Sequence, residues 1–358
     1  WQIYRKEREG SGTVRKRYPQ MDGLRAAAAA GVVMIHVSAG RAGTIAALCN
    51  VLARFAVPLF ILLSGFGHGG DDQDISAPLK LFAKRMKRIL PPFVLWSLIY
   101  LAVEAFFGKP HETPLWDLVS GGAYIHLYFI IVLIQLEILY VPLYRAVRRA
   151  PNITLAVSAL VTLAMQVLIC GDWLALWSLP ALPIPYTRTF VPYLLFYVAG
   201  LWLRRRDRMP EKTGWLQLAG AAALWALSAW AAVAVARRFP GINGLSLRPD
   251  LTVYVFTTGL LLWLLCSLTK DVPRPVRSLS RLSFALYLSH PLIMRLWNEW
   301  TVRQDPVIYL RLWQSYLMTF IGGLLIALAL SKLPFGQLLG GAPRKKTEIT
   351  EGRNGEKT

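Results

Sequence analysis

Ten stretches of mainly apolar residues run through the 358-residue chain, and they limit its fold more than any other feature. A helix that crosses a bilayer needs about 20 predominantly apolar residues. Hydrophobic residues make up 55% of the chain and charged residues 17%, whereas soluble domains average roughly 45–50% and about 25%. We therefore predict an all-α fold, a polytopic membrane helical bundle of about ten transmembrane helices. The predicted cores are residues 24–41, 51–66, 89–106, 124–141, 153–169, 190–203, 216–235, 251–268, 282–297 and 312–330.

The formal net charge of +20 is compatible with two kinds of protein. Strongly basic chains can bind nucleic acid, but the cytoplasmic loops of membrane proteins also carry an excess of Lys and Arg. If the N-terminus is cytoplasmic, each inner segment is more basic than the outer segments beside it. This alternation favours the membrane protein and predicts that both termini are cytoplasmic. The basic inner segments lie at residues 5–17, 80–88, 145–149, 204–212, 270–281 and 344–346.

Three parts of the chain differ in composition. Residues 1–20 are polar and basic and are predicted to form a cytoplasmic arm. Residues 21–333 contain every apolar stretch and are predicted to form one membrane domain. Residues 334–358 are mainly polar, and we predict a cytoplasmic tail there.

The first predicted helix carries Arg25 and His36 among small and apolar residues. They are eleven positions apart, close to three full turns, so both lie on one helix face about 16 Å apart along the axis. This spacing predicts Arg25 near the cytoplasmic interface and His36 near the middle of the membrane. Two interpretations stay open: a snorkelling arginine with a hydrogen-bonded structural histidine, or a histidine that acts as a general base.

A basic cluster, Lys84-Arg85-Met86-Lys87-Arg88, precedes the third apolar stretch. Arg85 and Arg88 stand at i and i+3 and are predicted to share a helix face. Two guanidinium groups can bind phosphate oxygens in bidentate fashion, so the cluster is a candidate phosphate clamp. The alternative is a basic segment that only stops translocation.

Other polar residues lie in or beside apolar segments. Glu137 is expected to pair with an arginine or to stay protonated. His290 stands before Pro291, where a local structural role at a helix kink is favoured. His68 is expected at the interface, and Arg54 is a candidate cavity residue without an identified partner. The histidines lie on different segments and no metal-ligand spacing occurs, so we predict no metal site.

Five short motifs occur in an order that resembles the acyltransferase-3 family of integral membrane acyltransferases. Asp22-Gly23-Leu24-Arg25 followed by His36 is similar to the opening motif of that family. Tyr128 stands where the family usually has Trp. The other motifs are FILLSGF at 60–66, KRMKRILPP at 84–92, HLYF at 126–129 and SFALYLSHP at 283–291.

The resemblance implies transfer of an acyl group, most often acetyl, from cytoplasmic acyl-CoA to a hydroxyl of a surface or lipid-linked carbohydrate. It places the protein in the cytoplasmic membrane of a bacterium, with the lipid bilayer, the coenzyme A thioester and the glycan as partners. His36 is implied as the general base, with Arg25 as a second catalytic residue. Lys84, Arg85 and Arg88 would bind the coenzyme phosphates. Further substrate-binding or structural candidates are Asp22, Ser64, His126, Tyr128, Glu137 and His290.

Two other functional classes remain open on the sequence. A transporter or flippase of a lipid-linked glycan would line a conduction path with the same buried His and Arg. Such proteins often contain inverted repeats, and none is evident in this sequence. A non-catalytic membrane subunit that recruits a glycan synthase would also contain apolar helices with basic loops.

Overall fold

In the computed structural model, residues 18–69, 75–206, 213–269, 271–304 and 311–342 are described. These residues form helices and connecting segments without a β-strand, which confirms the predicted all-α class. The α-helices are α1 Gln20–Ser38, α2 Thr44–Ala53, α3 Ala56–His68, α4 Pro78–Phe106, α5 Pro114–Ser120, α6 Tyr128–Ile138, α7 Tyr140–Arg149, α8 Pro151–Trp173, α9 Leu194–Arg206, α10 Trp215–Arg238, α11 Pro249–Cys266, α12 Arg274–Gln304 and α13 Leu312–Lys332.

Several of these helices are long and apolar enough to cross a membrane. Within the described ranges six segments qualify, and the bent pair α6–α7 would make a seventh. The chain is therefore a multi-pass membrane protein. Each of the ten predicted stretches is helical, but α1, α9 and α12 do not meet the length and apolarity requirement. The qualifying single segments are Thr44–His68, Pro78–Phe106, Pro151–Trp173, Trp215–Arg238, Pro249–Cys266 and Leu312–Lys332.

Two stretches that were predicted as continuous helices are broken in the structure. The first break, at Arg54, separates α2 from α3, and the second follows Ile138, where α6 and α7 meet at 56°. A proline lies four residues after each break, Pro58 and Pro142 respectively. Proline has no N–H and its ring crowds the carbonyl four positions back, so the helix is interrupted at that carbonyl.

Two segments in the C-terminal part of the chain are helical outside the predicted cores. The segment that follows the predicted core 282–297 is helical up to Gln304, because α12 continues beyond that core. The predicted polar tail begins at residue 334, yet Gly336–Leu339 forms a 3₁₀ helix against α4, where the Trp96 indole donates to the Leu339 carbonyl at 3.1 Å. The rest of the predicted tail and most of the predicted N-terminal arm lie outside the described residues.

Two pairs of helices run parallel. Along α1, Asp22 lies beside Ser280 of α12 and His36 beside His290 of the same helix, so contacts advance in one direction on both. The α3–α9 contacts also advance in one direction, since an added Cβ would overlap the Tyr197 carbonyl oxygen at Gly65 and the Leu201 carbonyl oxygen at Gly69. Such small residues let two backbones approach each other inside a membrane bundle.

Replacing Gly65 with alanine is expected to lower the free energy of unfolding by about 1–3 kcal/mol, because the methyl group must displace backbone of α9. Gly67 on the same helix is the matched control, since a Cβ there meets open space. Gly67→Ala should leave stability unchanged or slightly raised. Thermal unfolding of the two purified variants in detergent checks this, and equal melting temperatures would contradict the close contact.

Candidate functional site

Three histidines from distant parts of the chain meet inside the bundle. His36 is on α1, His126 is in the turn before α6, and His290 is on α12. Their ring centroids are 5.3 Å apart for His36 and His290, 6.3 Å for His36 and His126, and 5.7 Å for His126 and His290. This cluster, called the histidine cluster below, is the densest group of imidazoles in the described part of the chain.

The members of the histidine cluster differ in accessibility. His126 and His290 are fully buried, whereas His36 is partly exposed although it lies on a helix whose other residues at this level are mostly buried. Of the three histidines, His36 is therefore the member with appreciable exposed surface. The described residues provide no group of three His, Cys, Asp or Glu side chains arranged to hold a metal ion. A partly exposed imidazole of this kind is suited to proton transfer.

One ring nitrogen of His290 is fixed by the backbone. Its Nδ1 lies 3.1 Å from the Leu286 carbonyl oxygen. A carbonyl can only accept a hydrogen bond, so in the neutral ring the proton belongs on Nδ1. The buried Nε2 then carries a lone pair, and it has no hydrogen-bond partner among the described residues. His290 thus presents an unused acceptor beside His36.

Tyrosines that the sequence analysis did not single out enclose His126. The rings of Tyr100 and Tyr287 meet its imidazole nearly edge-on, with centroids 5.2 and 5.1 Å away. The Tyr287 hydroxyl donates to the His126 carbonyl, and the Tyr100 hydroxyl donates to the Leu288 carbonyl at 2.7 Å. These bonds tie α4, α12 and the turn before α6 into one rigid frame around the cluster.

Arg25 and Asp22 lie at the other end of α1. The Arg25 guanidinium is 3.8 Å from the Asp22 carboxylate, which also accepts a hydrogen bond from Ser280 at 2.7 Å. Arg25 is buried. The structure therefore brings Arg25 to the α1–α12 contact but not to the histidine cluster.

Glu137 pairs with Arg85, as expected of a carboxylate in an apolar segment. The Arg85 guanidinium lies 2.5 Å from one carboxylate oxygen, and His68 Nδ1 lies 3.1 Å from the other. Arg85 also stands 3.9 Å from the centroid of the Tyr140 ring. All three charged or ionisable groups are largely buried, so this is a structural network that joins α3, α4 and α6. His68, expected at the interface, is the last residue of α3 and takes part in this network.

The predicted phosphate clamp is divided by burial. Arg85 is 7% exposed and engaged by Glu137, while Arg88 and Lys84 are exposed on the first half of α4. The helical period does place positions i and i+3 near each other, but it does not show which of the two faces the protein interior. Arg85 is therefore engaged inside the bundle by Glu137, and the exposed Lys84 and Arg88 remain candidate phosphate ligands.

The remaining candidates occupy different surroundings. Ser64 is buried on α3 beside the close contact with α9. Tyr128 is partly exposed and lies within electrostatic reach of Arg54 and Arg188. Arg54, which had no identified partner, donates to Asn50 and to Ser246. A signal for this buried arginine was present in the sequence, because Pro58 marks the helix break at which it stands.

Comparison with known proteins assigns the family. The sequence pattern of the acyltransferase-3 family, described as an acyltransferase domain, matches residues 18–333. The chain is 25% identical over 330 residues to a Bacillus subtilis (strain 168) protein, YfiQ, named as a candidate membrane-bound acyltransferase. The aligned region covers 85% of this chain and 87% of the relative. No solved structure matches the chain. The chain belongs to the acyltransferase-3 family of membrane acyltransferases.

Proposed function

We propose that this protein transfers an acyl group, acetyl in the first instance, from cytoplasmic acyl-CoA to a hydroxyl of an extracytoplasmic or lipid-linked carbohydrate. The observation that carries this proposal is the histidine cluster. It contains one accessible imidazole, His36, beside a second imidazole with an unused lone pair, His290. An acyl transfer to a hydroxyl needs a base at that kind of position.

The proposed topology has ten membrane crossings with both termini in the cytoplasm, and residues 21–333 form the membrane domain. The parallel packing of α1 with α12 and of α3 with α9 supports it. In the predicted order, α1 and α12 belong to the first and ninth crossings, and α3 and α9 belong to the second and sixth. Both members of a pair are odd-numbered or both are even-numbered, so they run in the same direction through the membrane.

On this topology the donor approaches from the side on which α4 begins. Lys84 and Arg88 are exposed there and provide cations for the coenzyme phosphates. The pantetheine arm would then extend along α1 from the level of Arg25 toward His36, an axial distance of about 16 Å. The carbohydrate would enter from the opposite side of the bundle.

In the proposed reaction the acceptor hydroxyl attacks the thioester carbonyl while His36 takes its proton. A C–O bond forms, and the carbonyl becomes a tetrahedral oxyanion. Collapse of this intermediate breaks the C–S bond, and the departing thiolate of coenzyme A takes the proton back from His36. His290 Nε2 would accept a hydrogen bond from the second nitrogen of His36 and so orient its ring.

The donor side is tested with purified protein in lipid nanodiscs, radiolabelled acetyl-CoA and a de-O-acylated envelope glycan. Arg88→Gln and Lys84→Gln should each raise the KM for acetyl-CoA about three- to tenfold with little change in kcat, since they remove surface contacts to phosphate. Arg149→Gln, an exposed cation on α7, is the matched control. A transporter or a recruiting subunit would transfer no labelled acetyl group to the glycan. Absence of transfer by the wild type would therefore reject the proposed function.

A further inference from the structure

Arg54 differs from the other deeply buried arginines in its partners. Among the described residues four arginines are buried: Arg25, Arg54, Arg85 and Arg248. Three of them face a carboxylate: Arg25 faces Asp22, Arg85 faces Glu137 and Arg248 faces Asp250. Arg54 instead donates to the neutral oxygens of Asn50, at 2.5 Å, and Ser246, at 2.9 Å, and its Nε has no partner in the described part of the chain.

An uncompensated guanidinium is costly in a membrane interior. Arg54 is only 5% exposed, so water does not neutralise it. Two hydrogen bonds to neutral groups satisfy some of the N–H donors of the guanidinium but leave its positive charge in a low-dielectric environment. Such a group stabilises any anion that can reach it.

Arg54 is fixed close to the histidine cluster. Asn50, which accepts its hydrogen bond, in turn donates to the Ile35 carbonyl at 2.9 Å, one residue before His36. The guanidinium therefore lies beside the place where the acceptor hydroxyl would be deprotonated.

A second arginine converges on the same place from another segment. Arg188 reaches Ser120, the neighbour of Gly121, and an added Cβ at Gly121 would lie 3.0 Å from the Tyr128 Cα. Its guanidinium lies 3.5 Å from the Ser120 carbonyl, and within the described ranges it forms no ion pair with a carboxylate. Arg188 lies between α8 and α9, and Ser120 ends α5 before α6; the proposed ten-crossing topology places both segments on the outer side. Arg54 is thus linked through Asn50 to the residue before His36, and Arg188 lies beside the segment that leads to Tyr128, on the side from which the acceptor would enter.

We propose that Arg54 and Arg188 bind an anionic group, a carboxylate or a phosphate, on the carbohydrate acceptor. This inference rests on the proposed function and narrows its acceptor to acidic glycans. The anion would occupy the position between the two guanidinium groups at Tyr128, while a hydroxyl of the same saccharide faces His36. The coenzyme phosphates are not the ligand, because their proposed contacts lie at the start of α4.

The test uses nanodisc-embedded protein, labelled acetyl-CoA and de-O-acylated envelope glycan from cells that carry this protein. The glycan is supplied untreated, after carbodiimide–borohydride reduction of its carboxylates, or after dephosphorylation. One treatment should raise the acceptor KM of the wild type roughly tenfold to a hundredfold with little change in kcat, because a charge-assisted hydrogen bond is lost. The treatment that has this effect distinguishes carboxylate from phosphate.

Arg188→Gln should raise the KM for untreated glycan to the value that the wild type shows with the treated glycan, and treatment should then have no further effect. Arg54→Lys keeps the charge and should keep the discrimination, which guards against a folding defect in Arg54→Gln. Arg237→Gln, an exposed arginine at the end of α10, is the charge-matched control and should behave as the wild type.

Three results would overturn the inference. The first is an unchanged wild-type KM after both treatments. The second is an equal loss of kcat on every glycan form in Arg54→Gln, which would assign Arg54 to the reacting carbonyl instead. The third is glycan binding, measured without acetyl-CoA, that does not depend on charge. Charge-dependent binding without any transfer would support the anion site and reject the proposed reaction, so the two failures are distinguishable.

Discussion

Substitution of His36 by alanine is expected to lower the rate of acyl transfer by about a hundredfold to ten-thousandfold, the usual contribution of a general base. The coenzyme should still bind, because the proposed contacts to its phosphates come from the exposed cations of α4, and this substitution leaves them in place. Labelled acetyl transfer and acetyl-CoA binding, measured on the same nanodisc preparation, separate the two effects. His111→Ala is the control, since that histidine pairs with Asp117 at 2.8 Å in a loop before α5. Unchanged transfer by His36→Ala would refute the assignment.

His290 should respond in a graded manner that a purely structural residue would not show. Its Nε2 presents a lone pair, and the amide oxygen of glutamine can offer an acceptor at nearly the same reach. His290→Gln is therefore expected to retain more activity than His290→Ala. Equal activity of the two variants would place His290 outside the reaction.

The second large effect concerns the buried pair between Arg85 and Glu137. Glu137→Gln or Arg85→Met is expected to lower the free energy of unfolding by about 3–5 kcal/mol, because each leaves an uncompensated buried group. The double variant Arg85→Met with Glu137→Leu should recover most of that loss. Unfolding by SDS in mixed micelles measures these values.

The matched control for this pair is the exposed contact between Arg277 and Asp271. Asp271→Asn should change stability by less than about 1 kcal/mol, as is usual for ion pairs in contact with water. If the single substitutions at Arg85 and Glu137 are equally mild, the network is not a structural support, and Arg85 would again be a candidate for phosphate binding.

The helical segments were predictable because hydropathy is a local property. Each apolar stretch became helix, and the two breaks could have been read from Pro58 and Pro142. The number of membrane crossings is harder to predict from the sequence, because α9 has 13 residues and α12 carries charges along its length. Such helices depend on their neighbours, and sequence hydropathy says little about neighbours.

The site was predictable only where a single helix defines it. The period of α1 places Arg25 and His36 on one helix face, but no local pattern shows that α12 packs beside it. His290 was assigned to a kink because Pro291 is adjacent in sequence, whereas its nearest imidazole lies on another helix. Likewise the partner of Arg85 is 52 positions away, beyond the reach of any i, i+3 argument.

The parallel contact between α1 and α12 also constrains biogenesis. His36 is translated before His290, which follows it by 254 positions in the chain. Closing so long a loop carries an entropic penalty that later contacts must offset. Until then α1 holds His36 among lipids or insertion machinery without its neighbour on α12. Nascent chains that stop before α12 would therefore be inserted yet inert, and quality control can recognise them by that exposed polar group.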